Sequence, residues 1–434
     1  MNILLVNHYA GSVHHGMEYR PYYLAREWVR QGHRVHIVAA SYSHLRRQAP
    51  GPSPGAQWSE NIDGIDYLWL PTPPYQGNGA GRVRNMLAFV TRLWRMAPQL
   101  ARTIAPDAVI ASSTYPLDIW PAQRIARLAG ARLLHEIHDL WPLSAIELGG
   151  YSARHPFIML LQAAENHACR HADAVVSILP KVREHLQAHG MAPHKLHIIP
   201  NGADPDEWPA IAEAPGSPCA PSFGSAHSQL ASELPSELAT LLSKLRAAGN
   251  TVVGYAGSHG MANALDTLLD AARLLHDQPL AFVLVGAGPE KQRLQQKALR
   301  RGLAQVHFAE PVAKRQIPAL LGSIDIAFLG WRRQPLYRFG IAPNKLLDYM
   351  MAGCPVLHAV DAGNDPVRDA GCGLSVAPDD PQALAEGLQQ LHGLEPAARR
   401  TLGARGRHYA LVHLTYPVLA QRFLNVIAQE VSHG

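Results

Sequence analysis

Charge, cysteine and long apolar runs are all scarce in this chain of 434 residues. Charged side chains make up 17% of it, and 39 Lys and Arg against 34 Asp and Glu leave a formal charge of +5. That excess is too small for a dedicated nucleic-acid binder, which gathers basic residues on one face. The four cysteines, Cys169, Cys219, Cys354 and Cys372, form no C-x-x-C pair. A disulfide scaffold and a zinc ribbon are thereby excluded, and a reducing, cytoplasmic setting is expected. No stretch reaches the roughly 18–20 consecutive apolar residues that cross a bilayer, so any membrane contact is peripheral. The apolar start, Met1 to Asn7, has no basic flank and no small-residue cleavage site, and reads as a buried strand, not a signal peptide. No His, Cys, Asp and Glu group has metal-ligand spacing, so no metal is expected. Asp204-Pro205-Asp206 reads as a turn. The glycine fingerprint of dinucleotide enzymes and the Gly-x-Ser-x-Gly elbow are missing too.

What is present is alternation. Hydrophobic residues make up 47% of the chain, and the length allows two or three domains, each with its own core. Short β-branched runs at 3–7, 35–39, 108–111, 132–137, 174–178 and 196–199 alternate with helical spacing near 18–31, 82–104, 118–129, 155–171 and 180–189. Asp63-Gly64 marks a hairpin turn ahead of Ile65–Leu70. Residues 209–243 are dominated by Ala, Pro, Ser and Gly, regaining helical spacing near their end. A second series of strands follows at 251–255, 281–285, 306–308, 324–329, 355–358 and 373–376. The pattern predicts two doubly wound α/β domains, 1–207 and 245–410, facing across a cleft. A linker occupies 208–244, and a helix within 411–434 crosses back to the first domain.

Ligands of open α/β sheets bind at the carboxyl ends of the strands, so the chemistry is sought there. Gly340-Ile341-Ala342-Pro343-Asn344-Lys345-Leu346-Leu347-Asp348 predicts a turn at Gly340 and a helix opened by Pro343. A helix start favours phosphate through its N–H groups and dipole. Lys345 opposes that dipole unless an anion sits there, and Asp348 lies one turn deeper, able to accept from ribose hydroxyls. An ordinary surface Lys–Asp pair fits the same spacing. Gly257-Ser258, after the first strand of the second series, allows close backbone approach, as a simple tight turn also would. In the first domain, His138-Asp139 ends the 132–137 strand, and the loop from His8 to Arg20 follows the first strand. Between Arg82 and Arg102 there are five arginines and no acids. Arg84, Arg95 and Arg102 share one side with Arg92 nearby, while Val83, Met86, Leu87, Val90, Trp94, Ala97 and Ile104 fill the opposite sector. Such a helix suits an anionic membrane surface, or packs on a sheet with a solvated arginine face.

Together these residues resemble the family 4 retaining glycosyltransferases of the GT-B fold, over nearly the whole chain. The run from Pro343 to Val356 is similar to that family's donor-site helix. The stretch from His8 to Arg20 and His138-Asp139-Leu140-Trp141-Pro142 resemble a surface-polysaccharide branch labelled L-fucosamine transferases. The resemblance implies sugar transfer from a nucleotide-diphosphate donor as co-substrate, with no cofactor and no metal. It implies a UDP sugar and a lipid-linked or glycan acceptor at the inner membrane face. In the family, two carboxylates eight positions apart contact the donor. Asp348 takes the ribose-holding place, and Gly340 stands where the first carboxylate would be. Lys345 would neutralise the diphosphate, His138 would sit by the reacting sugar, and Gly16, Glu18 and Arg20 match the cleft loop. A sugar-nucleotide epimerase of similar architecture and a non-catalytic sugar-nucleotide-binding subunit remain alternatives.

Overall fold

A computed structural model of the chain describes residues 1–16, 19–51, 57–77, 79–208 and 234–429. Glu18, Cys219 and most of the expected linker lie outside the described residues. Eight strands form the first sheet: β1 (Asn2–Val6), β2 (Arg34–Ala40), β3 (Trp58–Ile62), β4 (Ile65–Leu70), β5 (Ala108–Ala111), β6 (Arg132–Ile137), β7 (Ala174–Ser177) and β8 (Leu196–Ile198). Their order is β3-β4-β2-β1-β5-β6-β7-β8. Every pairing is parallel except β3 with β4. Ile3, Leu4, Leu5 and Val6 are all fully buried, as a central strand covered on both faces requires. Asp63 and Gly64 both take positive φ, 52° and 82°, the conformation of a type I′ turn, and Ile62 faces Ile65 across the hairpin. β3 itself was not foreseen, because Trp-Ser-Glu-Asn-Ile carries too little apolar signal.

The second sheet comprises β9 (Thr251–Ala256), β10 (Leu280–Val285), β11 (Val306–Ala309), β12 (Ile326–Gly330), β13 (Val356–Ala359) and β14 (Gly373–Ser375). It is wholly parallel, in the order β11-β10-β9-β12-β13-β14. Counted from β9, this is the 3-2-1-4-5-6 winding of a Rossmann sheet. Without its hairpin strand the first sheet follows the same winding with a seventh strand, β8, added at the end.

The chain divides into two compact units. One is Met1–Asn201 with Phe339–Ala342 and the chain from Tyr416; the other is Gly202–Arg338 with Pro343–Thr415. The boundaries expected at 207 and 244 shift because both flanks of the linker enter the second core. Ala203 and Trp208 pack there, and Ala203 N–H donates to Leu414 O at 2.8 Å. The helix Ser236–Ala247 adds Leu238 and Leu242 to the same core. The expected returning helix is Tyr416–Ala428, starting five residues later than 411, because the preceding helix runs through His413. In the first unit it buries Leu419, Phe423 and Ile427. Trp28 Nε1–H donates to Ala420 O at 3.1 Å, and its ring meets Phe423 edge-on at 5.3 Å.

The arginine-rich helix, Ala80–Ile104, is one element with Pro98 inside it. Its buried side is Met86, Phe89, Leu93, Ala97 and Leu100, a continuous three- and four-residue ridge. Leu87 and Trp94, assigned from the wheel to the apolar sector, lie off that ridge and are 40% and 44% exposed. The outward face therefore mixes arginine with bare apolar surface.

Candidate functional site

In the second unit, the turn after β9 is fixed by backbone contacts. Gly257 N–H donates to Val285 O at 2.9 Å, and His259 N–H to Ala287 O at 2.8 Å. Gly257 and Gly286 have φ of +147° and +151°, and a Cβ on Gly286 would lie 1.8 Å from Gly257 O. Only glycine allows the two strand-end turns to touch. Ser258 is exposed, its carbonyl accepting from Tyr255 Oη at 2.6 Å and Asn263 Nδ2 at 3.0 Å. His259 is fully buried, and neither ring nitrogen has a hydrogen-bond partner among the described residues. Burial, then Lys291 and Lys345, push its pKa down to about 4, so the ring is neutral.

Lys345 lies over this turn. It sits in the first turn of the helix Asn344–Met351, which Pro343 caps from just outside and not from the first helical position. Its Nζ is 3.8 Å from the centre of the Tyr255 ring, a cation–π contact. A Cβ on Gly257 would lie 2.9 Å from that nitrogen, so the glycine makes room for the ammonium. No carboxylate among the described residues is within ion-pair distance of Lys345. Burial pushes its pKa down to about 7, partly opposed by Asp348.

Asp348 turns elsewhere. It opens into a cavity of about 350 Å³ with Glu207, Trp208, Lys314, Ile317 and Pro318, while Lys314 Nζ pairs with Glu207 at 2.6 Å. Burial raises the Asp348 pKa to about 7; Lys314 and Lys345 oppose that rise and Glu207 adds to it. The alternative of a surface Lys–Asp pair is not seen among the described residues, and the two side chains serve adjoining spaces. Trp208 and Lys314 were not foreseen, because their sequence distance from Asp348 hides them. Asn344 is exposed at the helix start. Gly340 and Ile341, expected with the donor residues, group instead with the first unit. Lys181 N–H donates to Phe339 O and Asn201 Nδ2 to Ala342 O, both at 2.9 Å, holding that segment there.

In the first unit His138 joins a buried polar chain at the ends of β1, β5 and β6. Ser112 Oγ lies 2.6 Å from Glu136 Oε2 and 3.0 Å from His138 Nε2. Since the carboxylate only accepts, Ser112 donates to it and accepts a hydrogen bond from His138 Nε2–H. Asn7 Nδ2 donates to Ser112 O at 2.6 Å. Arg20 completes the chain, with Nε 3.0 Å from Glu136 Oε1 and two nitrogens on the carbonyls of Ile199 and Pro200. Burial opposes the Glu136 charge, yet Arg20, His138 and Ser112 hold its pKa well below the usual carboxylate range. Arg20 was expected in a cleft loop; it is instead a buried residue of the helix Tyr19–Arg30. Gly16, at φ +85°, turns against the Arg47 side chain. Sequence reasoning missed Glu136, although a lone acid inside an apolar strand was the available signal.

Asp139 accepts from Ser144 Oγ at 2.7 Å and Trp141 Nε1 at 3.2 Å, bracing the wall of a second space. This groove, about 1,120 Å³, runs along the arginine-rich helix and is lined by Arg84, Arg92, Arg95, Leu87, Trp141 and Leu148 among others. Arg102 lies farther along the same helix, exposed and outside the groove lining. No helix among the described residues is long and apolar enough to cross a membrane.

Comparison with known proteins decides the family. Residues 15–202 match the family described as "Glycosyl transferase 4-like domain", and 250–393 match "Glycosyl transferases group 1". The chain carries two glycosyltransferase-family domains. It is 25% identical over 375 residues to the Escherichia coli K12 protein named "Putative colanic acid biosynthesis glycosyl transferase WcaI", covering 84% of this chain and 86% of that one. Among solved structures, sucrose-phosphate synthase from Thermosynechococcus elongatus is 16% identical at a TM-score of 0.69, covering 98% and 97% of the two chains. HepE of Anabaena in complex with UDP and glucose is 17% identical at 0.62, covering 99% and 100%. These likenesses establish the GT-B fold of two Rossmann-like domains. Lys345 and Asp348 lie in the segment that matches the group 1 family, and His138 in the segment that matches the 4-like domain.

Proposed function

We propose that the chain is a retaining glycosyltransferase that moves a sugar from a UDP-sugar to a lipid-linked or glycan acceptor, at the cytoplasmic face of a membrane. The carrying observation is Lys345, held over the Gly257 turn with no carboxylate partner and a lowered pKa. A diphosphate supplies the missing anion, and the Lys345 ammonium with the helix amides neutralises charge growing on the leaving group. Asp348 and the Trp208-walled cavity take ribose and base. His138, held by Ser112 and Glu136, orients the sugar; Arg20 positions Glu136 in turn. The chemistry needs neither metal nor cofactor. The UDP-bound HepE neighbour and the colanic acid name of the E. coli relative support the donor and the polysaccharide setting.

Calorimetry with UDP, GDP and ADP, followed by UDP-sugar turnover with membrane-extracted acceptors, tests this reading. UDP should bind most tightly, and Asp348→Asn should weaken it about tenfold or more. Because the folded-state pKa of Asp348 is raised, its ionised form costs stability as pH climbs from about 4 to 7. Asp348→Asn should accordingly melt higher than the parent at pH 8. Unchanged UDP affinity would remove Asp348 from the site. Gly340, where a carboxylate was expected, favours a non-catalytic binding subunit as second reading; binding without turnover on any acceptor would select it.

The membrane assignment rests on the exposed Arg84, Arg92, Arg95 and Arg102 beside Leu87 and Trp94, which are 40% and 44% exposed. Each basic residue near an anionic surface contributes about 1 kcal/mol. Replacing the four by Gln should cut binding to phosphatidylglycerol vesicles at least tenfold while leaving UDP affinity unchanged. No vesicle binding by the parent protein would overturn the assignment.

A further inference from the structure

Away from both sites, the first unit gathers three ligating side chains: His185 and His189, four residues apart, and Glu165, whose place beside them the sequence did not show. Glu165 lies in the helix Pro156–His171, His185 in the helix Arg183–Ala188, and His189 at that helix's end. Each offers one ligand atom, and the three atoms lie within 4.8 Å of one another. Glu165 is only 3% exposed, where an ionised carboxylate requires a positive partner. Among the described residues no Lys or Arg is within ion-pair distance of it; its neighbours at that range are the two histidines.

The surrounding hydrogen bonds point both imidazoles at the carboxylate. Gln162 Nε2 donates to Glu165 Oε2 at 2.7 Å and to Asn166 Oδ1 at 3.0 Å, which fixes that Asn166 atom as an acceptor. His189 Nδ1 lies 2.8 Å from the same oxygen and 3.1 Å from Gln162 Nε2, and it carries the ring proton when both Gln162 protons serve Glu165 and Asn166. Its Nε2 then keeps a lone pair, 4.0 Å from Glu165 Oε2 and beyond hydrogen-bond reach. His185 Nε2 stands 3.0 Å from Glu165 Oε1. Two ligands each about 2.0–2.1 Å from one tetrahedral ion are about 3.3 Å apart, a separation bracketed by these two. An Nδ1–H bond to a side-chain oxygen is also the usual outer support of a metal-binding histidine.

We propose that Glu165, His185 and His189 bind one divalent transition metal of the zinc class, with a fourth position left for water. Two histidines and a carboxylate are the right donors for such an ion, and too few and too nitrogen-rich for calcium or magnesium. The ion ties the two helices together and neutralises Glu165. It also stiffens His185, whose ring meets Phe339 edge-on at 5.5 Å, and so braces the segment Phe339–Ala342. The role is structural, independent of the transfer reaction.

The test is zinc binding by tag-free, chelator-stripped protein, read by elemental analysis and by competition with a chromophoric chelator. One equivalent should bind to the parent and raise its melting temperature. His189→Gln should weaken that equivalent at least 100-fold and abolish the thermal shift, and Asn166→Leu should weaken it about 10–100-fold. His413→Gln, in the other unit, should leave it unchanged. A circular dichroism spectrum matching the parent's shows that His189→Gln still folds. No tight equivalent in the parent, or the same equivalent in His189→Gln, would overturn the assignment, leaving a buried carboxylate neutralised by a protonated histidine.

Discussion

Glu136→Gln should lower the melting temperature by about 6–20 °C, the equivalent of roughly 3–5 kcal/mol in a domain of this size. The substitution keeps the shape but strands the Arg20 guanidinium, which is 5% exposed and otherwise faces the carbonyls of Ile199 and Pro200. A buried charge that loses its counter-ion cannot regain water. Replacing both partners, Arg20→Met with Glu136→Leu, should cost much less than Glu136→Gln alone, because no charge is then left behind. The same pair sets an acid limit. Glu136 has a folded-state pKa depressed below the unfolded value of about 4.3, so its contribution is complete above that value. It is lost as pH falls through the folded value, and parent and Glu136→Gln should converge in stability at low pH. Thermal melts between pH 3 and 8 should show the gap between the two proteins narrowing below about pH 4.3. Equal melting at pH 7 would mean that the ion pair contributes nothing.

Lys345→Met should reduce transfer by about 10²–10³-fold, the usual effect of removing one preorganised donor to developing negative charge. It should do so without weakening the free protein. The folded-state pKa of Lys345 is about 7, against about 10.4 when unfolded. Its charge is therefore disfavoured in the fold, a penalty complete below about pH 7 that fades towards pH 10. Lys345→Met relieves that penalty, so the variant should melt no lower than the parent at pH 6. A diphosphate restores the proton, and parent affinity for UDP should fall with rising pH between about 7.5 and 9, by up to tenfold per unit. In Lys345→Met that slope should vanish. Loss of activity with a lower melting temperature would make Lys345 a packing residue instead.

Both sheets were legible in the sequence because parallel strands buried on two faces are short unbroken apolar runs, as in 3–7 and 281–285. The turn at Asp63-Gly64 was legible because its chemistry is local. Trp58–Ile62 was not: its strand conformation is imposed by pairing with β4, not by its own residues. The site divides in the same way. Lys345 and Asp348 stand out within one helix start, and His138 at one strand end. Glu136, Trp208 and Glu165 acquire their meaning from partners tens of residues distant. The arginine-rich helix shows a third limit: the wheel, oriented by its arginines, put Leu87 and Trp94 on the inner face, whereas an unbroken ridge from Met86 to Leu100 decides which side is buried.

The helix Tyr416–Ala428 also governs when the first unit can mature during synthesis. Trp28 and Tyr23 emerge from the ribosome early, while their partners Phe423 and Tyr416 are nearly 400 residues away. Growing at about 5–20 residues per second, the chain holds an incomplete first core for tens of seconds. The second unit, closed by Thr415, can assemble before the first is finished. The order of completion is thus the reverse of the order along the chain, and Trp28 stays uncovered by these partners until the helix Tyr416–Ala428 is made.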